Sequence, residues 1–198
     1  MFPLHDINRA HRRPYMVYLL MALNLLGFVY TFFLTDPAAV IQAYGFVPAR
    51  FLADPLGEWV TLFSSMFLHG SILHILGNLW FLWVFGDNIE DRLGHWRFLK
   101  FYLLGGVLAA FVQGLMGGFS SEIPMIGASG AISALLGGYI VLYPKALILS
   151  LVGWIPVPVP AVLYLGYWLL IQFVGDFMGE EGVAFWVDIW GFVGWWLF

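Results

Sequence analysis

Long continuous apolar runs constrain this chain more than any single motif. They fall at about 15–34, 71–85, 98–116, 126–142, 159–174 and 182–198, separated by polar or proline-containing connections. A backbone surrounded by lipid must satisfy its own hydrogen bonds, which leaves helices and closed barrels. The runs lack the apolar–polar alternation of a barrel strand, so they predict helices. Charged residues make up only 10% of the chain, against about 25% in a soluble domain. The reading is an all-α membrane protein with a bundle of six transmembrane helices. Several runs fall short of the ~20 residues that cross a bilayer comfortably, which predicts local thinning or helices that start below the surface.

The chain reads as a polar N-terminal segment, 1–13, and a single helical domain, 14–198. The first apolar run is too long for a signal-peptide core and has no small-residue cleavage site, so it is read as a retained helix. The connection 35–68 holds Pro37, Pro48 and Pro55 and is too polar to span. Its amphipathic patch around Trp59 to Met66 suits a helix lying in the interface. Arg9, Arg12, Arg13, Arg92, Arg97, Lys100 and Lys145 all fall on one side of the six-span layout, and only Arg50 falls on the other. Positive residues mark the cytoplasmic side, so both termini are expected there, with the simplest home a prokaryotic plasma membrane. With no cysteine, disulfides and thiolate metal sites are excluded. The net charge of -4 and the lack of a basic tract argue against nucleic acid.

Polar residues inside spans are functional candidates. His74 and Asn78 are four residues apart on one helix face; they could equally serve as hydrogen-bonding glue between helices. His69 and His74 are badly spaced for a metal, and no metal or cofactor is called for. At the start of the fourth run, Gly127-Ala128-Ser129-Gly130 places a serine near a helix N-terminus. Unpaired N–H groups and the positive dipole end gather there. Such a serine could bond back to its own helix, or act as a nucleophile whose oxyanion those groups stabilise. Gly130, Ala134 and Gly138 form a small-residue stripe, suited to close helix approach.

Three stretches in this order and spacing resemble the rhomboid family of intramembrane serine proteases. They are His69-Gly-Ser-Ile-Leu-His74-Ile-Leu-Gly-Asn78, Phe85-Gly-Asp-Asn-Ile-Glu90-Asp-Arg92-Leu-Gly94 and Gly127-Ala-Ser129-Gly130. The likeness runs from about Trp59 to the C-terminus. It implies a six-helix core, Ser129 as nucleophile, and an oxyanion site made by His74, Asn78 and the Ser129 N–H. It further implies Gly127 at the close approach before the nucleophile, and a transmembrane-helix substrate entering from the bilayer past the fifth span and residues 175–181. No cofactor is implied.

The chain departs from the family at the base. Aligned on Gly191-Phe192-Val193, the position of the dyad histidine is Asp188. Asp188 admits three readings: a carboxylate base with a pKa raised by burial, a substitution that inactivates an otherwise ordinary protease, or the mark of a pseudoprotease that binds transmembrane helices. Trp190 and Trp195 stand where the family has small residues. Two indoles would overpack the contact with the small-residue stripe, at ~1–3 kcal/mol each. A transporter using His74, Asn78 and Asp188 lacks the internal repeat expected of many such folds, and a metalloprotease lacks a chelating set.

Overall fold

Prolines and glycines set most of the element boundaries. The computed structural model describes residues 1–177. In chain order its elements are strand β1 (Phe2–Asp6), helix α1 (Tyr15–Val29) with a π-helical extension (Tyr30–Leu34), and four short helices. These are α2 (Pro37–Tyr44), α3 (Pro48–Ala53), α4 (Pro55–Glu58) and α5 (Thr61–Ser64). Then come α6 (Ile72–Leu93), α7 (His95–Gly117), α8 (Ser129–Leu142), strands β2 (Leu147–Val152) and β3 (Ile155–Pro160), and α9 (Ala161–Phe177). The sixth expected span, with Asp188, Trp190, Gly191 and Trp195, lies outside the described residues.

Tyr15–Leu34, Ile72–Leu93 and His95–Leu115 are long and apolar enough to cross a membrane, and Ser129–Leu142 and Ala161–Gln172 are shorter apolar helices. The second span continues two turns past the expected end at 85, because its polar C-terminal end is paired rather than solvated. α6 stops at Gly94, whose φ of +79° only glycine adopts readily. α8 stops before Pro144, where the pyrrolidine ring disfavours helix in the preceding residue.

α8 is the central helix. Each residue from Gly130 to Tyr139 is buried. It lies against α7 through small residues: a Cβ added to Gly105 would come 2.6 Å from the Ala134 Cβ. One member of the expected stripe, Ala134, is thus occupied by α7. Gly86 does the same for α1, where an added Cβ would meet Val17 at 2.9 Å.

The connection 35–68 is a chain of short helices, not one amphipathic helix. Pro37, Pro48 and Pro55 each open a helix, where a missing N–H costs nothing. Asp36 and Asp54 cap two of them by accepting from the Ala38 and Gly57 N–H groups. Arg50 ties the segment together by donating to the Gln42 and Gly45 carbonyls and to Glu58. Leu52, Leu56 and Trp59 are left exposed, as expected of a segment lying in an interface.

The strands are an addition to the all-α reading. β1, β2 and β3 form an antiparallel sheet in that order. Pro156, Pro158 and Pro160 recur every second residue of β3, opposite Leu151, Leu149 and Leu147. On an edge strand their missing N–H groups face away from the partner, so the ladder tolerates them. Gly153, at φ +62°, opens the two-residue turn between β2 and β3. The N-terminal segment is therefore part of the fold, and not a free tail.

Candidate active site

Ser129 begins α8. Ala128 precedes it in helical conformation, and no side chain caps this end. The first intrahelical donor is the Ile132 N–H, bonded to the Ala128 carbonyl. The N–H groups of Ser129, Gly130 and Ala131 therefore have no partner within the helix and carry its positive end. Ser133 bonds back to the Ser129 carbonyl at 2.8 Å, so the back-bonding role falls to Ser133.

The approach to Ser129 is held by the connection 35–68. Phe46 and Met125 exchange both backbone hydrogen bonds, at 3.0 and 2.8 Å, and the Gly127 N–H donates to the Ser65 carbonyl at 2.9 Å. Nothing in the sequence announces these contacts, since backbone groups make them. Gly127 has φ +120°. A Cβ there would fall 2.7 Å from His74 Nε2 and 3.8 Å from Asn78 Nδ2. Only glycine gives both the conformation and the space.

α6 supplies these two side chains from one face, one helical turn apart, as their spacing requires. Ser71 caps α6 by accepting from the His74 N–H at 3.2 Å. Asn78 is buried, and its Nδ2 has no hydrogen-bond partner among the described residues. His69 packs edge-on against His74, with ring centroids 5.0 Å apart. It is fully buried, approaches the Phe67 backbone weakly, and makes no ring hydrogen bond of ordinary geometry. Burial, reinforced by the neighbouring His74, pushes its pKa down to about 3. The imidazole is neutral at any ordinary pH.

Ser129, Gly127 and Gly130 also line a cavity of about 40 Å³, walled by Phe46, Met66 and Ala131. That is room for about one water or one small group. The structure thus gathers a half-exposed serine at a helix N-terminus, a glycine that could be nothing else, and two donors aimed at that glycine. Chemically, such a site can hold a developing oxyanion. Among the described residues no cluster of histidine and acidic side chains could hold a metal. The position of the expected base, Asp188, and Gly191 lie outside the described residues.

Polar residues at the other end of α6 have a different use, which sequence reading left unassigned. Glu90, 1% exposed, accepts from the Met16 and Val17 N–H groups at 2.9 Å each and pairs with His95. α1 has no side-chain cap of its own, and Glu90 takes that place from another helix. Asp91 accepts from the His11 and Arg12 N–H groups, and Asn88 bonds to Asn8 and Asp6.

The Rhomboid domain family model matches residues 56–198. The chain is 31% identical over 149 residues to rhomboid protease GluP of Bacillus subtilis (strain 168), covering 71% of this chain and 27% of that protein. It is 36% identical over 104 residues to the presenilin-associated rhomboid-like protein A, mitochondrial, of Danio rerio, covering 51% of this chain and 27% of that protein. Rhomboid protease GlpG of Enterobacter sp. (strain 638) is 30% identical over 142 residues, covering 69% and 46%. The chain thus spans about a quarter of the length of the first two relatives and under half of the third. The matched region contains the His74–Asn78 pair, the Glu90 stretch and the Ser129 loop, and the chain belongs to the rhomboid family of integral membrane proteins.

Proposed function

We propose that the chain is built as an intramembrane serine endopeptidase acting on transmembrane-helix substrates. Ser129 Oγ attacks a substrate carbonyl carbon, and His74, Asn78 and the Ser129 N–H bind the resulting oxyanion. The observation that best supports this is the unpaired Asn78 donor, buried beside His74 and facing Gly127. A buried donor without a partner costs roughly 1–3 kcal/mol, a cost that an oxyanion would offset.

The Ser129 proton needs an acceptor. All five histidines lie at or before position 95, and Asp188 stands at the dyad position. A carboxylate is a weaker base than imidazole at neutral pH, so cleavage by this chain is slow. The same observation favours a second reading, a rhomboid pseudoprotease that binds transmembrane helices and leaves them intact. A fluorophosphonate probe separates the two. Labelling that disappears in Ser129→Ala supports the protease, and labelling absent from the unaltered chain supports the binder.

The topology follows from the same reading. β1 pairs with β2, which supports an arrangement with the N-terminal segment and the connection after α8 at one end of the bundle. That end also carries Arg9, Arg12, Arg13, Arg92 and Lys145, and is cytoplasmic by the positive-inside rule. Ser129 then lies toward the opposite face of a prokaryotic plasma membrane, and both termini are cytoplasmic.

A further inference from the structure

A second cavity lies apart from the one that Ser129 lines. It lies under residues 7–14, between β1 and α1, and encloses about 500 Å³, within the range of small-molecule sites. Arg9, Arg12 and Arg13 form one wall together with His5 and His11. On the α1 and α6 side it is bounded by Tyr18 and Trp83, whose rings stack with centroids 6.2 Å apart. Both rings are about half exposed, 45% and 50%, on helices whose outer faces meet lipid. The cavity is therefore lined by both cationic and half-exposed aromatic side chains.

Two carboxylates also line it, Asp6 and Asp87. Both are engaged by the protein. Asp6 accepts from Tyr139 Oη at 2.7 Å and from Asn88 Nδ2, and burial raises its pKa to about 7. Asp87 accepts from the Asn88 N–H at 2.7 Å and from Asn88 Nδ2 at 3.1 Å. Of the arginines, Arg12 lies 3.9 Å from Asp91. Among the described residues Arg9 and Arg13 make no ion pair, and both are exposed. Two planar, fork-shaped donors are left free beside a greasy aromatic surface. Guanidinium pairs suit phosphate oxygens in this way, and basic pockets between helices at a membrane surface suit acidic headgroups.

We propose that this cavity binds a phosphate-bearing anion, the headgroup of an acidic phospholipid whose acyl chains descend along Tyr18 and Trp83. Asn88, Glu90 and Asp91, which tie residues between 6 and 17 to α6, do not themselves line the cavity. The site is separate from Ser129 and requires no catalysis.

Native mass spectrometry of the full chain in detergent tests this, with titrations of phosphatidylglycerol and phosphatidylcholine. Phosphatidylglycerol should bind at least about tenfold more tightly. Arg9→Gln/Arg13→Gln should weaken it about tenfold or more, at roughly fivefold per cation near a membrane surface. Arg97→Gln/Lys100→Gln, exposed cations outside the cavity, should leave it unchanged. Should the cavity double variant not fold, Arg13→Gln alone should show a loss of about fivefold. Absence of a phosphatidylglycerol preference, or equal loss in both double variants, overturns the proposal. A competition arm fixes the source of the phosphate. Lipid retained in excess inorganic phosphate supports the headgroup, and lipid displaced by it supports a soluble phosphate compound at the same site.

Discussion

The two ends of α6 are both polar, both buried in part, and built on opposite principles. At the C-terminal end the strong polar groups are matched among the described residues. Glu90 takes two N–H groups of α1 and the His95 ring, Asp91 takes two more N–H groups, and Asn88 bridges Asn8 and Asp6. At the N-terminal end, among the described residues, Asn78 Nδ2 has no partner and His69 makes no ordinary ring hydrogen bond. A buried polar network is stabilising when complete and costly when incomplete. The C-terminal end therefore holds the fold together, and the N-terminal end is where the proposed function places the oxyanion.

The difference is sharpest in stability. Glu90→Ala removes the acceptor of two N–H groups and leaves a buried cap empty, so it should lower unfolding free energy in detergent by about 3 kcal/mol. A loss under about 1 kcal/mol would place Glu90 among the ordinary surface charges and end the contrast. Asn78→Val, at the other end, deletes a donor that has no partner among the described residues. Its effect on stability should be within about 1 kcal/mol of zero. Any fluorophosphonate labelling of Ser129 should nevertheless fall about 10²-fold, the usual cost of one oxyanion donor. A large stability loss in Asn78→Val would show that Asn78 is structural glue.

Much of this was legible in the sequence, unevenly. The runs around 15–34 and 98–116 match α1 with its extension and α7 closely, because a helix in lipid is written in composition alone. The His74–Asn78 spacing and the glycine before Ser129 were legible because side chains and a backbone conformation carry them. The three-stranded sheet was not. Alternating prolines argue against a strand until it is known to be an edge, and β1 finds its partner more than a hundred residues away. Nor was the role of Glu90 legible, since it caps a helix that begins 75 residues earlier, at Tyr15. The pins on the Ser129 loop, Phe46 with Met125 and Ser65 with Gly127, are main-chain bonds that no residue type advertises.

In the unaltered chain the smallest expected effect is the net pH dependence, because two slopes oppose each other. Asp6, packed near the C-terminal end of α6, has its pKa raised from 3.8 to about 7, chiefly by burial. The folded chain holds that proton where the unfolded chain has released it, so this group's contribution to stability declines as pH rises between about 4 and 7. His69, in the connection before α6, has its pKa lowered from 6.5 to about 3, again chiefly by burial. There the unfolded chain binds the proton first, so stability declines as pH falls from about 6.5 toward 3. In the unaltered chain the two slopes oppose each other across the shared window. Asp6→Asn should expose the rising slope of His69, and His69→Gln the falling slope of Asp6, in unfolding free energies measured from pH 4 to 7. The readout is the slope, so a uniform loss from either substitution does not obscure it. If both variants kept the slope of the unaltered chain, neither group would be titrating as its burial requires, and the two ends would differ in hydrogen bonding alone.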